Sequence, residues 1–413
     1  MPRPIEVDLL VVGGGVAGLW CAAKAGAGGW RCAVVERAAL GAGQTAASQG
    51  IIHGGIKYAL GGFAGASRAI AEMPATWRAC LAGRGEVDLT RVRVLSDRQF
   101  LWTTGGIGSR LAALAASRLV RTEVRPVAAE ERPEGLRGAG RGVAVYSVDE
   151  PVLEARSVVE SLARAAEANG GVVTRADVRR FRRDEPSGRW VADLAPARGE
   201  DRAGEEERVL AGGVVLAAGE GNAALAGMVA GSEHGEGLMQ RRPLHMIMAR
   251  GTLPALFGHC VGASDKPRLT ITTHANLAGR RVWYIGGQVA EAGVEREQDE
   301  QVGAAKREVA ACLPWVDLAG VEWATFRVDR AEGLTERGRR PDGPVVRTLA
   351  PGAAAVWPTK LALAPAAAAL ALRAVGLDGP GPGSAATPIE NPGPGPRLAC
   401  AAPPWEEEAV RWT

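Results

Sequence analysis

Three side chains capable of proton and anion chemistry, His53, Lys57 and Tyr58, fall within one short stretch, GQTAASQGIIHGGIKYALGG, from Gly43 to Gly62. An imidazole exchanges protons near neutral pH, an ammonium holds an anion as a point charge, and a phenol donates or accepts a hydrogen bond. Six glycines surround them, and glycine lets backbone approach a ligand closely. The stretch therefore reads either as a substrate site held against a cofactor or as a polar loop. The elements around it decide between the two.

Immediately upstream runs VDLLVVGGGVAGLWCAAKAGAGGWRCAVVER. Asp8 to Val12 has the length of a buried strand, Val16 to Ala25 is small and apolar at helical spacing, and Ala33 to Val35 is a second apolar run. At the first junction Gly13, Gly15 and Gly18 stand in G-x-G-x-x-G register, and Glu36 closes the second strand. Gly13 permits the tight turn, Gly15 lets backbone approach a pyrophosphate, and Gly18 lets helix and strand pack closely. The phosphates would lie on the helix N-terminus, where N–H groups and the dipole favour anions. Glu36 would accept from ribose hydroxyls and repel a 2'-phosphate. A dinucleotide without that phosphate is expected. FLWTTGGIGSRLAALAA offers Gly106 and Gly108 but has Leu111 at the third glycine position, so no second cradle is expected there.

Further along, a helix is predicted from Pro151 to Ala168, ended by Asn169-Gly170-Gly171. A hairpin is predicted around Pro186-Ser187-Gly188, and an apolar strand from Val214 to Ala217 precedes Ala218-Gly219. PRLTITTHANLAGRRVWYIGGQVAE reads as a hairpin turning at Asn276 to Arg280. PAAAALALRAVG reads as a helix from Pro365 to Val375, with Lys360 just ahead of its positive end. The tail from Gly376 is rich in proline and glycine and reads as irregular.

The Ala-Gly closing a late strand, after the glycine cradle and a helical crossover, resembles the flavin-binding domain of the D-amino-acid oxidase and glycerol-3-phosphate dehydrogenase superfamily. SQGIIHGGIKYAL resembles the loop of the respiratory glycerol-3-phosphate dehydrogenases, which runs His-Gly-Gly, an apolar residue, a basic residue, then Tyr. Lys57 stands where those proteins usually have arginine. RRPLHMIMAR resembles a strand of that family and brings His245. WATFRVDRAE resembles the strand-end arginine segment and brings Arg327, with Arg330 as its rival. WPTKLALAP resembles the Gly-Gly-Lys segment beside the flavin and brings Lys360, although Pro358 and Thr359 replace both glycines. The C-terminal helical extension of those dehydrogenases is absent.

The resemblance implies non-covalent FAD, contacted by Gly13, Gly15, Gly18, Glu36, Arg37, Ser48, Gly219 and Lys360. It implies oxidation of a small anionic alcohol or 2-hydroxy acid, glycerol-3-phosphate-like, by hydride transfer to flavin N5. Lys57 and Arg327 would hold the anion, Tyr58 would line the site, His245 would act as base and His53 would orient substrate or flavin. His259 and His274 are further candidates for the pocket lining. Oxidation of an amine or amino acid is the competing enzymatic reading, and a non-catalytic flavin-binding redox sensor the competing non-enzymatic one. Oxygen, a quinone or a carrier protein could each reoxidise the flavin.

The fold expected is α/β, a Rossmann-like FAD-binding domain with an interleaved α+β substrate domain containing an antiparallel sheet. The first domain would take residues 1–80, 145–230 and 335–413, and the second 81–144 and 231–334. A chain of 413 residues is long enough for two such cores. With 46% hydrophobic and 23% charged residues and a net charge of +3, nothing marks a nucleic-acid surface. Six cysteines without C-x-x-C spacing argue against zinc and against a disulfide framework. Residues 1–7 lack a basic n-region, and no run reaches the roughly 20 apolar residues of a membrane span. A cytoplasmic protein is expected, with peripheral contact at the inner membrane face left open.

Overall fold

The computed structural model describes residues 4–55, 70–104, 124–197, 207–231, 237–262, 264, 266–335, 338, 340–382 and 398–413. Lys57, Tyr58, Gly106 and Gly108 lie outside the described residues. Strand β1 (Ile5–Val12), helix α1 (Val16–Ala27) and strand β2 (Cys32–Glu36) form the strand–helix–strand unit that the sequence predicts. β1 and β2 pair in parallel, with Leu9 against Cys32 and Val12 against Val35. α1 is built of small apolar residues and buries almost every side chain, so it can lie close on the sheet. Helix α2 (Met73–Leu81) sets Trp77 edge-on against Trp20 of α1, centroids 4.7 Å apart. Such pairs contribute about 0.5–1.5 kcal/mol beyond burial. The Trp77 indole donates to the Ala362 carbonyl at 2.9 Å, which ties α2 to the segment behind Lys360.

The chain then crosses to a second sheet. β3 (Val94–Ser96) leads to β4 (Gln99–Thr103), β5 (Val124–Pro126) and β6 (Val145–Val148), and β7 (Val152–Leu153) returns to pair with β3. Pro151 does not open a helix. Its carbonyl accepts from the Ile52 amide at 2.9 Å and the Leu153 amide donates to Gly50, so this segment is held extended, and α3 (Ala155–Ala168) starts only after Glu154. β6 pairs with β4 and β5, so residues 145–148 belong to the second sheet and not to the first. Val87, Leu89 and Val92 pack in the core of the first unit, which therefore extends beyond residue 80.

β8 (Val172–Arg183) joins two pairings: its first residues lie parallel to β2, and the rest pair antiparallel with β9 (Trp190–Pro196). The predicted hairpin connects them. β10 (Glu207–Leu216) runs parallel to β1 along its whole length, with Ile5 against Val209 and Val12 against Leu216. It is followed by α4 (Asn222–Ala230). The second sheet then gains β11 (Met239–Arg250), β12 (Gly258–Val261), β13 (Leu269–Ala275) and β14 (Arg281–Gly286), with β13 and β14 forming the predicted hairpin. After α5 (Gln288–Glu291) and α6 (Gln298–Cys312), β15 (Glu322–Gly333) pairs along all of β11. β16 (Val345–Ala350) and β17 (Ala353–Trp357) return to the first sheet, β17 parallel to β10, and α7 (Ala364–Ala374) packs against α1.

The eight strands of the second sheet lie in the order β15-β11-β14-β13-β12-β4-β6-β5. Strand alternation gives the sheet two unlike faces. A Cβ placed on Gly286 would touch both Gln49 of the first unit and Met246, so the face carrying Met246, Met248, Thr270, Thr272, His274 and Tyr284 looks toward the cradle. Ile247, Ala249, Trp283 and Ile285 lie on the other face. No helix among the described residues is long and apolar enough to cross a membrane, and all six cysteines are free.

Residues 398–413 tie the two units together. Leu40 bonds to Ala399 and Ala401, and Thr413 exchanges two backbone hydrogen bonds with Trp323. Between these points Trp405 lies on His274, ring centroids 4.4 Å apart, while His274 Nε2 sits 2.9 Å from the Thr272 hydroxyl. Complete burial pushes the His274 imidazole down to about 3. Below the ordinary histidine value of 6.5 the unfolded chain takes up a proton that the folded chain refuses, so stability falls as pH drops from about 6.5 toward about 3. The expected slope from this group is about 1.4 kcal/mol per pH unit. Urea denaturation of His274→Phe, which keeps a ring against Trp405, should show a correspondingly flatter loss of stability between pH 6 and pH 4 than the wild type, and equal slopes would refute the assignment.

Candidate functional site

The cradle is built by three close approaches. Gly13 has φ of 114°, and a Cβ there would sit 2.6 Å from the Ala217 carbonyl, because β10 lies alongside and the Ala217 amide donates to Val12 at 2.7 Å. A Cβ on Gly18 would run into the Gly13 carbonyl oxygen. Gly15 caps α1, and the Thr45 hydroxyl accepts from the Val16 amide at 3.3 Å. The Glu36 carboxylate accepts from the Gly14 amide at 2.8 Å and from Ala38 at 2.9 Å. It keeps lone pairs for ribose hydroxyls. Arg37 is exposed beside it. Gly219 follows β10 at φ of 57° and accepts from the Trp357 indole at 3.1 Å.

Lys360 stands at the start of the turn leading into α7 and is 9% exposed. The preceding Thr359 is the single non-glycine residue with positive φ among the described residues, at 66°. It adopts the backbone region that glycine would supply, and its hydroxyl donates to Gly343 at 2.9 Å. The Ser48 hydroxyl is buried with no hydrogen-bond partner among the described residues. Buried polar atoms are ordinarily paired. An orphan hydroxyl, a capped helix N-terminus and a closing carboxylate together fit a bound dinucleotide, with Ser48 and Lys360 beyond its phosphates.

Gln44, Ala47 and Gln49 fix the opposite wall. The Gln49 amide donates to Thr270 O at 3.1 Å and Tyr284 O at 2.9 Å, the Tyr284 hydroxyl donates to Ala47 O at 3.1 Å, and Gln44 accepts from the Ala331 amide at 3.1 Å. Residues 50–54 then run beside 150–153. Gly54 N donates to Glu150 at 2.6 Å, and His53 Nδ1 lies 3.3 Å from the other carboxylate oxygen, which also accepts from Gln99 at 3.1 Å. The His53 ring stacks with His259 of β12, centroids 5.8 Å apart and planes 23° apart, and His259 Nδ1 meets the Thr270 hydroxyl at 2.8 Å.

The structure does not bring His245 to this cluster. It shares the face of Ile247, and its Nδ1 lies 3.0 Å from Gly293 O in the connection between α5 and α6. Desolvation, opposed by that hydrogen bond, lowers its proton affinity. Arg327, directly opposite His245 in the strand pair, is exposed and donates to the carbonyls of Val294 and Arg296. Its guanidinium serves a backbone turn on the far side of the sheet. Arg330 has the opposite parity and shares the face of Met246. It is half-buried, donates to Arg242 O at 3.2 Å, and is pushed down to about 10 by desolvation and by the neighbouring Arg242.

Sequence reasoning missed Glu150 and Gln99 altogether. DEP was read as the opening of a helix, whereas Glu150 is 2% exposed and faces His53. Thr45 was also missed, because it caps α1 from 29 residues beyond the Val16 amide it accepts from, which no local pattern reveals.

A sequence model of the family described as FAD dependent oxidoreductase, DAO, matches residues 8–374. The chain is 43% identical over 412 residues to a probable FAD-dependent oxidoreductase of Pseudomonas aeruginosa, covering 98% of this chain and 99% of that one. The crystal structure of an FAD dependent oxidoreductase from that organism superposes with a TM-score of 0.79 at 38% identity, over 98% of this chain and 99% of the other. L-alpha-glycerophosphate oxidase from Mycoplasma pneumoniae, solved with FAD bound, superposes at 0.62 with 14% identity over 90% and 94% of the two chains. Glycine oxidase from Geobacillus kaustophilus superposes at 0.60 with 17% identity over 94% and 100%. The last two likenesses are of fold. The chain belongs to the DAO family of FAD-dependent oxidoreductases.

Glu36 is the cradle residue whose loss is easiest to read. A hydrogen bond to a charged group contributes about 1.5–3 kcal/mol, so Glu36→Ala should weaken FAD binding by about one to two orders of magnitude while the apoprotein stays folded. Flavin titration of the apoprotein measures this, and wild-type affinity would remove Glu36 from the cofactor site.

Proposed function

We propose that this flavoenzyme oxidises a small anionic alcohol or 2-hydroxy acid. The reading is carried by one observation, the hydrogen bond between His53 Nδ1 and the buried Glu150 carboxylate. An ionised carboxylate can only accept, so the proton of this hydrogen bond belongs to Nδ1 and the basic lone pair of the imidazole lies on Nε2. An alcohol must lose its hydroxyl proton as hydride leaves the adjacent carbon, and a neutral imidazole is suited to take it near neutral pH. A neutral amine has no such need.

FAD, when bound, would supply the two-electron acceptor for the substrate's hydride. The chain's own groups do the rest. The cradle glycines and the α1 N-terminus would hold the pyrophosphate, and Glu36 the ribose. Lys360, ahead of the α7 N-terminus, provides a fixed positive field that favours charge developing on a reduced flavin. Lys57, four residues after His53 in sequence, would hold the substrate anion. His53 receives the hydroxyl proton, and the stacked His259, its Nδ1 held by Thr270, closes the other side of the imidazole.

Anaerobic single-turnover flavin reduction across hydroxy acids, polyol phosphates and amino acids tests the reading. With the best hydroxy substrate, His53→Gln should reduce its flavin about 10²-fold or more slowly with FAD content retained, whereas His245→Gln should stay near the wild-type rate. Lys57→Met should chiefly raise KM for anionic substrates, and neutral analogues should be poor with either protein. Fast reduction by an amino acid that survives His53→Gln would replace this reading with amine oxidation.

A further inference from the structure

Resting on the assignment of His53 as the proton acceptor, we propose that Glu150 is its positioning residue, fixing both the tautomer and the place of the imidazole. Glu150 lies in the short turn between β6 and β7 and is 2% exposed. Three N–H groups from two parts of the chain converge on its two oxygens: the Gly54 amide at 2.6 Å and the adjacent His53 Nδ1 at 3.3 Å, and the Gln99 amide nitrogen at 3.1 Å. One carboxylate oxygen thus holds the backbone just after His53 while the other holds its ring. Rotation of the imidazole would cost the second contact, and displacement of the loop would cost the first.

Burying a carboxylate is expensive unless it is hydrogen-bonded or paired. Two of these donors are neutral amides, which leave the charge in place, and among the described residues the imidazole is the donor that can carry a positive charge. When a substrate O–H bond breaks, its proton forms a bond to His53 Nε2, and the ring becomes an imidazolium with Nδ1–H still directed at Glu150. The negative charge of Glu150 stabilises the cation formed in that step. Among the described residues, the titratable groups facing His53 are Glu150 and His259, and Thr270 fixes the latter's ring orientation.

Glu150→Gln tests this, because the amide keeps the shape and an acceptor for Gly54 N but loses the charge. Three readouts are expected. Single-turnover flavin reduction should fall at least about tenfold with FAD content unchanged. The acid limb of kcat/KM should move to lower pH, since the imidazolium is less stabilised. ¹⁵N NMR of the imidazoles, tractable with five histidines in the chain, should show His53 shifting from the Nδ1–H tautomer toward a mixture. Gln99→Met removes one neutral donor instead and leaves the carboxylate more reliant on His53, so its acid limb should move the opposite way. This second variant keeps the test open if Glu150→Gln folds poorly.

A Glu150→Gln protein with wild-type rate, limb and tautomer, beside an impaired His53→Gln, would overturn the positioning role and leave the proposed reaction standing. An unimpaired His53→Gln would overturn the reaction while the tautomer shift still reports on Glu150. Stoichiometric divalent metal that is lost in Glu150→Gln would make His53, Glu150 and His259 a ligand set and overturn the proposal.

Discussion

Thr45 caps the first turn of α1 through the Val16 amide, while Gln44, Ala47 and Gln49 bond to β15, β14 and β13 of the other sheet. A single short loop thereby joins the glycine cradle to the second sheet. Most of these bonds use backbone groups of the sheet, so their geometry is set by the strand ladder and not by adjustable side chains. Any hinge between the two units would have to break several of them together. The next residues in sequence, 50–54, inherit that fixed origin and deliver His53 to Glu150. The distance between His53 and the cradle is a property of one continuous stretch of chain.

The second anchor of the cradle is the turn holding Lys360. A non-glycine residue in the left-handed region costs roughly 1–3 kcal/mol, and Thr359 sits there at φ of 66°. Its hydroxyl contact to Gly343 and the bond from Lys360 N to Pro358 O at 2.7 Å offset part of that cost. Trp77 clamps the following turn through Ala362. Such a strained turn persists because the surroundings overdetermine it, and the result is an ammonium held 9% exposed at the mouth of a helix. Thr359 thus reaches without glycine a backbone region that glycine adopts at little cost.

The strand–helix–strand cradle was legible because its glycines are forced by steric contact: Gly13 and Gly18 have no room for a Cβ, and that constraint leaves a mark in the sequence. The β13–β14 hairpin and α7 were legible for similar local reasons. The roof was not. Whether His245 or Met246 looks toward the flavin side depends on how β11 pairs with β14 and β15, and a one-residue change of parity exchanges the faces. The same ambiguity separated Arg327 from Arg330, three positions apart and hence on opposite sides. Glu150 left no signal because its partners, Gly54, Gln99 and His53, are 96, 51 and 97 residues away. The DEP tripeptide looks like a helix start until the pairing of residues 50–52 with 151–153 holds it extended.

On the cradle-facing side near β15 the charges of neighbouring groups do not cancel. Glu332 is fully buried and lies 3.2 Å from Arg242, and Arg330 is the cross-strand neighbour of Arg242. Among these three groups one positive charge is in excess. Desolvation and Arg242 together lower the proton affinity of Arg330, meaning that this guanidinium is held at a cost where it stands. A protein that needed only structural support could have placed an apolar side chain at this position. A buried cation becomes favourable when a ligand brings the opposite charge, and the free energy then gained is available only to anionic ligands.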